Sequence, residues 1–162
     1  MALKSFSGMF GRTHAAVIGM IHVGALPGTP RNKQKISEIT EAACKEAEIY
    51  KEAGVDGIIV ENMHDIPYMH TDSVGHEITA SMSVICSHIK GICPNIPCGV
   101  QILAGANKQA LSVAQAADLN CQVSLSPQAS SPFIAVINSR NPNIQSVVME
   151  TVMDNQQAKF YQ

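Results

Sequence analysis

The sequence contains no tryptophan, and aromatic residues make up only 4% of its 162 residues. Charged residues are also scarce, at 15%, and the net charge of -2 leaves no basic surplus for nucleic acid or an anionic membrane. No run of residues approaches the ~18 apolar positions that a membrane-spanning helix needs. We therefore expect neither a nucleic-acid partner nor a membrane span, and a core built from aliphatic side chains, alanine and methionine.

Several chemical motifs are absent as well. The five cysteines, at positions 44, 86, 93, 98 and 121, include no CxxC pair, so we interpret them as small, buried thiols of a reducing compartment. The sequence has no GxGxxG, no Walker loop and no GxSxG nucleophile elbow. The sequence shows no cluster of Cys and His with the spacing of zinc ligands, and it does not identify a cofactor.

What is present is an alternation of short apolar runs with segments of helical period. Almost continuous apolar runs of this length are typical of strands covered on both faces. Strands are predicted at 15–23, 55–62 and 97–103, and helices at 35–53, at 77–90 and from an N-cap at Asn107 to about 117. Alternation of this kind predicts an α/β fold with a parallel sheet.

The helix over 35–53 has the clearest pattern. One face carries apolar or small side chains three or four residues apart, and the other carries Glu41 and Lys45 at the favourable i,i+4 spacing. Gly54 follows as a C-terminal stop. The inward face of this helix is predicted to consist of Ile36, Ile39, Ala43, Ala47 and Tyr50.

The two ends of the chain have a different character. Residues 1–13 contain Lys4 and Arg12 but no acid, which is typical either of a flexible N-terminus or of a weak mitochondrial targeting segment. Residues 121–162 are rich in Ser, Asn and Gln, and we expect a divergent, weakly ordered tail. Within that tail, 133–137 could form a strand and 144–153 a short helix.

Three motifs, in order, resemble one known family. "VIGMIHVGALPGTPR", "AGVDGIIVENMHDIPY" and "GVQILAGANKQALSVAQAA" look like the first three βα units of the BtpA family, which is named for a cyanobacterial photosystem I biogenesis factor. The resemblance covers residues 14–120 and implies a (β/α)8, TIM-type, barrel. We therefore expect a partial barrel of three to four βα units.

The length of the chain departs from that family pattern. A full barrel takes about 250 residues, and this sequence has 162. One explanation is a C-terminally truncated or alternatively spliced form whose last residues are unrelated to the family. The other is a half-barrel that completes itself by pairing with a second copy.

The barrel implied by the resemblance would gather the carboxyl ends of the strands around one mouth, where such folds keep their chemistry. His22 and Glu61 are the candidate catalytic acid–base pair, and Asn62, Gln101 and Asp65 are the candidate substrate-binding residues. Alternatives remain open. His22 could be a packed histidine, Glu61 could pair with a neighbouring cation or join His22 and Asp65 around a metal, and the loop residues His64 and His70 could simply be solvated.

Two functions are consistent with these residues. The first is an enzyme that binds or transforms a small polar metabolite by acid–base chemistry. The second is a non-catalytic assembly or stability factor for a protein complex. A third hypothesis is that this chain is an inactive, truncated product in which the ancestral barrel site is incomplete. We expect an intracellular protein, cytoplasmic or mitochondrial, whose candidate partners are a small-molecule ligand and a second copy of itself.

Overall fold

A computed structural model describes residues 6–11, 16–103 and 105–122 of the chain. Its elements, in chain order, are α1 (Phe6–Phe10), β1 (Ile18–His22), α2 (Ile36–Ala53), β2 (Gly57–Glu61), a 3₁₀ turn (Thr71–Ser73), α3 (His76–Ile92), β3 (Cys98–Gln101), α4 (Asn107–Ala116) and β4 (Cys121–Gln122). The predicted alternation of strands and helices is confirmed. The strand proposed at 133–137 and the helix proposed at 144–153 lie outside the described residues.

The four strands form one parallel sheet in the order β1-β2-β3-β4. Each strand therefore lies beside its predecessor in sequence, with a helix in each of the three connections. The last strand, β4, begins one residue past the predicted boundary at 120 and pairs with β3 through Gly99 and Val100. A mixed α/β fold with a parallel sheet is thus confirmed.

The two faces of the sheet have different neighbours because side chains alternate along a strand. Ile21, Ile58 and Val100 belong to one large buried cluster that also contains the inward residues of α2, α3 and α4. Ile59 belongs to a separate, small cluster with Ile18 and Met20. All three long helices therefore pack against the same face of the sheet.

Helix α2 has the boundaries that its sequence predicts. The Glu38 carboxylate accepts a hydrogen bond from the Lys35 backbone N–H at 2.8 Å, which satisfies one donor where the helix begins. Lys45 Nζ lies 2.7 Å from Glu41 Oε1 on the exposed face. Gly54 ends the helix in the left-handed conformation, with φ of 71°, and its N–H bonds to the Lys51 carbonyl.

Helices α3 and α4 bury their apolar faces, and one prediction for α4 is corrected. Ala110 and Ala114 of α4 are buried, as is Ala117 directly after its end. The prediction that Asn107 caps this helix was wrong, because Asn107 is its first helical residue and Ala106 occupies the cap position. Ala106 is fully buried against the core, so its burial fixes the start of the helix rather than a capping side chain.

Among the described residues, no helix is long and apolar enough to cross a membrane. Cys86, Cys93 and Cys98 are buried thiols and Cys44 is a half-buried one, as their apolar surroundings in the sequence predict. Burial raises the pKa of the Cys98 thiol to about 11 and raises that of Cys86 as well. These thiols are therefore part of the packing.

Candidate functional site

The last residues of three neighbouring strands form a polar row. In the pairing register of the sheet, His22 of β1 lies opposite Glu61 of β2, and Glu61 lies opposite Gln101 of β3. Paired residues of parallel strands project from the same face, here the face that carries Met20 and Ile59 rather than the three long helices. The sheet thus brings together three of the five predicted site residues as the row His22–Glu61–Gln101.

The first two members of this row are in direct contact. His22 Nε2 lies 3.4 Å from Glu61 Oε2, and the imidazole side chain is 43% exposed whereas the carboxyl side chain is 9% exposed. Burial raises the pKa of Glu61 above its ordinary value, and the neighbouring His22 lowers it by a smaller amount. The pair therefore joins a buried carboxyl group to an imidazole that reaches solvent, which is an arrangement able to pass a proton.

Gln101 completes the row on the far side of Glu61. Its side chain is buried, at 6% relative exposure for the residue. A neutral amide beside a buried carboxyl group can donate and accept hydrogen bonds without adding charge. Its position is consistent with the predicted role in orienting a substrate, which stays a prediction.

Asn62 and Asp65 are placed differently from the row. Asn62 follows Glu61 and, by strand alternation, projects toward the helix-bearing side of the sheet. Its amide donates to Asp65 Oδ2 at 2.8 Å and its Oδ1 accepts from the Leu103 N–H at 2.8 Å. Asp65 Oδ1 in turn accepts from the Leu26 N–H at 2.7 Å. These two side chains therefore bond to the loops that follow β1 and β3.

Burial and hydrogen bonding act in opposite directions on Asp65. Burial raises the pKa of its carboxyl group, while the bonds from the Leu26 N–H and the Asn62 amide lower it by smaller amounts. The net direction is upward. Accepting two hydrogen bonds nevertheless gives the carboxylate partners in a site where only 6% of the residue is exposed.

The first loop, from Gly24 to Arg31, contains the Gly/Pro turn seen in the sequence. Leu26 anchors it, because Leu26 O accepts from the Thr29 N–H at 3.1 Å and from Thr29 Oγ1 at 2.7 Å. Gly28 has a φ of 93°, a conformation that L side chains rarely adopt. The turn is therefore held at both the N–H and the carbonyl of Leu26.

A small pocket, open to solvent, is lined in part by Asn62 and Asp65 and does not extend over the row. It lies between the first two strand-end loops, the start of α3 and Leu103, and its lining includes Thr29, Met69 and Glu77. No motif in the sequence places Glu77 at this end of the sheet. In the structure, an ideal Cβ at Gly28 would lie 2.5 Å from Glu77 Cγ, so the glycine leaves the space that the Glu77 side chain occupies.

The two loop histidines lie at the surface, although His64 still lowers the pKa of Asp65 by a small amount. His64 is exposed, and His70 pairs with Asp72 at 3.3 Å between side chains that are 75% and 86% exposed. No group of three or more His, Cys, Asp or Glu side chains among the described residues is arranged to hold a metal ion. The geometry therefore offers no support for the alternative in which His22, Glu61 and Asp65 share a metal.

A parallel sheet in sequential order, with its helices on one face and polar residues at the strand ends, defines an α/β protein built from βα units. The chain belongs to the BtpA family, whose model matches residues 13–125. The match extends past the predicted boundary at 120 and includes β4.

Named relatives come from animals, archaea and cyanobacteria. An uncharacterised mitochondrial protein of Caenorhabditis elegans is 48% identical over 102 residues, which are 60% of this chain and 36% of that protein. An uncharacterised protein of Pyrococcus horikoshii is 37% identical over 98 residues, covering 60% and 37%. The photosystem I biogenesis protein BtpA of Synechocystis is 32% identical over 103 residues, covering 64% and 35%.

The chain thus spans little more than a third of the length of these relatives. No solved structure is significantly similar to it.

Proposed function

We propose that this chain supplies the first βα units of a (β/α)8 barrel and that His22 and Glu61 carry acid–base chemistry on a small polar metabolite. The observation that supports the proposal most is the contact between His22 Nε2 and Glu61 Oε2 within an in-register row at the strand ends. Strand ends are where βα barrels carry their catalytic groups. Sequential parallel strands with helices on one face are also what a segment of such a barrel requires.

In this proposal the two groups have separate roles. Glu61, whose pKa is raised by burial, stores a proton or holds the imidazole in one tautomer. His22, which reaches solvent, gives the proton to the substrate or takes it. Gln101 orients a hydroxyl or amide of the substrate from the next strand.

The test is a thermal-shift screen of polar metabolites, such as sugars and nucleosides, against the chain and against a form extended to the length of its relatives. A hit is then assayed for turnover in His22→Ala and Glu61→Gln. We expect both variants to bind with similar affinity and to lose at least 10²-fold in kcat, the usual contribution of one acid–base group. Turnover unchanged in both variants would exclude the proposal.

A second function is favoured by the name of one relative. The Synechocystis protein is a photosystem I biogenesis protein, which suggests that members of the family can assist the assembly of protein complexes. For this chain the corresponding proposal is a non-catalytic assembly or stability factor. It predicts a protein partner that is recovered by affinity purification and retained by His22→Ala and Glu61→Gln.

We also propose a cytoplasmic or mitochondrial location for this protein. The mitochondrial relative of Caenorhabditis elegans and the acid-free residues 1–13 support the mitochondrial case. Fusing green fluorescent protein to the C-terminus, with and without residues 1–13, distinguishes the two. Mitochondrial fluorescence that is lost with those residues would assign them as a targeting segment.

A further inference from the structure

We propose that Asn62 and Asp65 are positioning residues that hold the ends of β1, β2 and β3 in register, and that they do not bind the substrate. This inference rests on the proposed function, since it assigns to these residues the task of fixing the geometry between His22 and Glu61. It departs from the substrate-binding role that the sequence alone suggested for them.

The two side chains form a continuous path of hydrogen bonds between the loops. The Leu103 N–H donates to Asn62, Asn62 donates to Asp65, and the Leu26 N–H donates to Asp65 from the other side. The three distances are 2.7 to 2.8 Å. Residues 39 and 41 positions apart in sequence are thereby joined across the end of the sheet.

Both residues line the pocket, but their burial leaves almost no surface of either side chain for a substrate to contact. Asn62 is 2% exposed and Asp65 is 6% exposed. Both Asp65 oxygens and the Asn62 oxygen accept hydrogen bonds from the protein. A substrate that used these atoms would have to compete with buried hydrogen bonds whose loss is costly.

The path lies directly beside the catalytic row. Asn62 is the residue after Glu61, and the Val23 N–H, next to His22, donates to Glu61 O at 3.0 Å. Asp65 holds Leu26 in the loop after His22, and Asn62 holds Leu103 in the loop after Gln101. A shift of either loop would therefore change the position of a strand end that carries a member of the row.

The donor and acceptor pattern makes this proposal testable by exchange of the two side chains. In Asp65→Asn, one amide nitrogen would face the other if the bonds to Leu26 and Leu103 were kept. In Asn62→Asp, two carboxylates would face each other. In the double variant Asn62→Asp/Asp65→Asn, the two groups exchange places. The carboxylate now at position 62 accepts from the Leu103 N–H and from the amide now at position 65, whose oxygen accepts from the Leu26 N–H.

The experiment measures the melting temperature and the ¹³C NMR titration midpoint of the Glu61 carboxyl group in the full 162-residue chain. We expect each single variant to melt about 5 °C or more below the unmodified chain. We also expect its Glu61 midpoint to fall toward that of an exposed glutamate, because water reaches a loosened strand end. The double variant should recover most of both changes.

A matched control is Asp72→Asn, which makes the same chemical change at a carboxylate whose side chain is 86% exposed. It should alter neither measurement. If a single variant does not fold, Asp65→Glu takes its place, since it keeps both acceptor oxygens but lengthens the side chain. We expect Asp65→Glu to lower the Glu61 midpoint.

Two outcomes would overturn the proposal. A double variant no more stable than the sum of the single changes would contradict the hydrogen-bond path. If the variants are destabilised but the Glu61 midpoint does not move, Asn62 and Asp65 stabilise the fold without positioning Glu61. Neither outcome depends on turnover, so a failure of the acid–base proposal is recognised separately, by unchanged kcat in His22→Ala and Glu61→Gln.

Discussion

Glu61 places a carboxyl group at the end of β2, a strand whose five residues are all buried. Removing a carboxylate from water disfavours its charged form, and the single contact with His22 offsets that cost only in part. A buried carboxyl group of this kind lowers the stability of the fold, but it can store and transfer a proton. The burial of Glu61 should therefore change how the stability of the folded chain depends on pH.

Replacing Glu61 with Gln should remove the part of that dependence that Glu61 contributes. Because the folded chain keeps the Glu61 proton at pH values where the unfolded chain has lost it, the Glu61 contribution to stability falls as the pH rises from about 4.3 through the raised pKa. Glu61→Gln should therefore melt a few degrees above the unmodified chain at pH 8 and close to it at pH 4. Calorimetry from pH 4 to pH 8 measures the difference.

The control for this prediction is Glu52→Gln, at an exposed position of α2. It should give a small difference in melting temperature that does not depend on pH. A constant offset for Glu61→Gln across the same range would show that Glu61 is not destabilised by burial.

The contact between His22 and Glu61 makes a second prediction at the level of single residues. His22 lowers the pKa of Glu61, so His22→Gln should raise the titration midpoint of the Glu61 carboxyl group. ¹³C NMR of the side-chain carboxyl carbon measures it. His88→Gln, on the exposed side of α3, should leave the midpoint unchanged, and a fall in His22→Gln would contradict the contact.

At the scale of elements, the packing of α2 on β1 depends on a strand position without a side chain. An ideal Cβ at Gly19 would lie 2.8 Å from Cγ of Tyr50, closer than packed carbon atoms approach. The Tyr50 hydroxyl also donates to the Met20 carbonyl at 3.0 Å. The ring is thus held flat against the strand, and Gly19 provides the space.

We predict that Gly19→Ala destabilises the fold by about 1–3 kcal/mol, the usual cost of overpacking a core. Gly91→Ala is the matched change, because a Cβ at this exposed position of α3 meets nothing within 4 Å. Alanine should stabilise the helix there by about 0.5–1 kcal/mol. Urea denaturation compares the two, and equal effects would contradict the close approach of Tyr50.

Local pattern predicted these elements well because it records which side chains face the core. The periods of α2, α3 and the three apolar runs identified the helices and strands, although each predicted strand was longer than the observed one. The cap at Asn107 was wrong because a tertiary contact, the burial of Ala106, decided where α4 begins.

The candidate site was predictable only in part, for a related reason. Strand ends can be read from sequence, and so His22, Glu61 and Gln101 were placed together. The path through Asn62 and Asp65 depends on backbone groups of Leu26 and Leu103, whose availability no periodicity reveals. Glu77 was missed because it is the second residue of α3 and does not lie at a strand end.

At the scale of the whole molecule, the buried thiols report on the integrity of the core. Cys86 and Cys98 lie within the single large cluster formed by the sheet and the three long helices. Burial raises the pKa of both, and the thiolate is the reactive form. Their reaction should therefore require the core to open.

We predict that N-ethylmaleimide at pH 8 modifies the half-buried Cys44 at least tenfold faster than Cys86 and Cys98, which react only at the rate of core opening. Peptide mass spectrometry after timed quenching measures each site. In 6 M urea the rates should become similar. Equal rates for Cys44 and Cys86 under native conditions would contradict a packed core.

The hydrogen bonds of the Asn62–Asp65 pair also constrain the order of folding. Two of them join a backbone amide to a side chain about 40 residues away, and neither of these two can form until neighbouring βα units have docked. Helices α2 and α3 can acquire their local hydrogen bonds earlier. During folding, the amides of Leu26 and Leu103 should therefore become protected from hydrogen exchange only when the strand ends close. The time at which they become protected measures the step that completes the site.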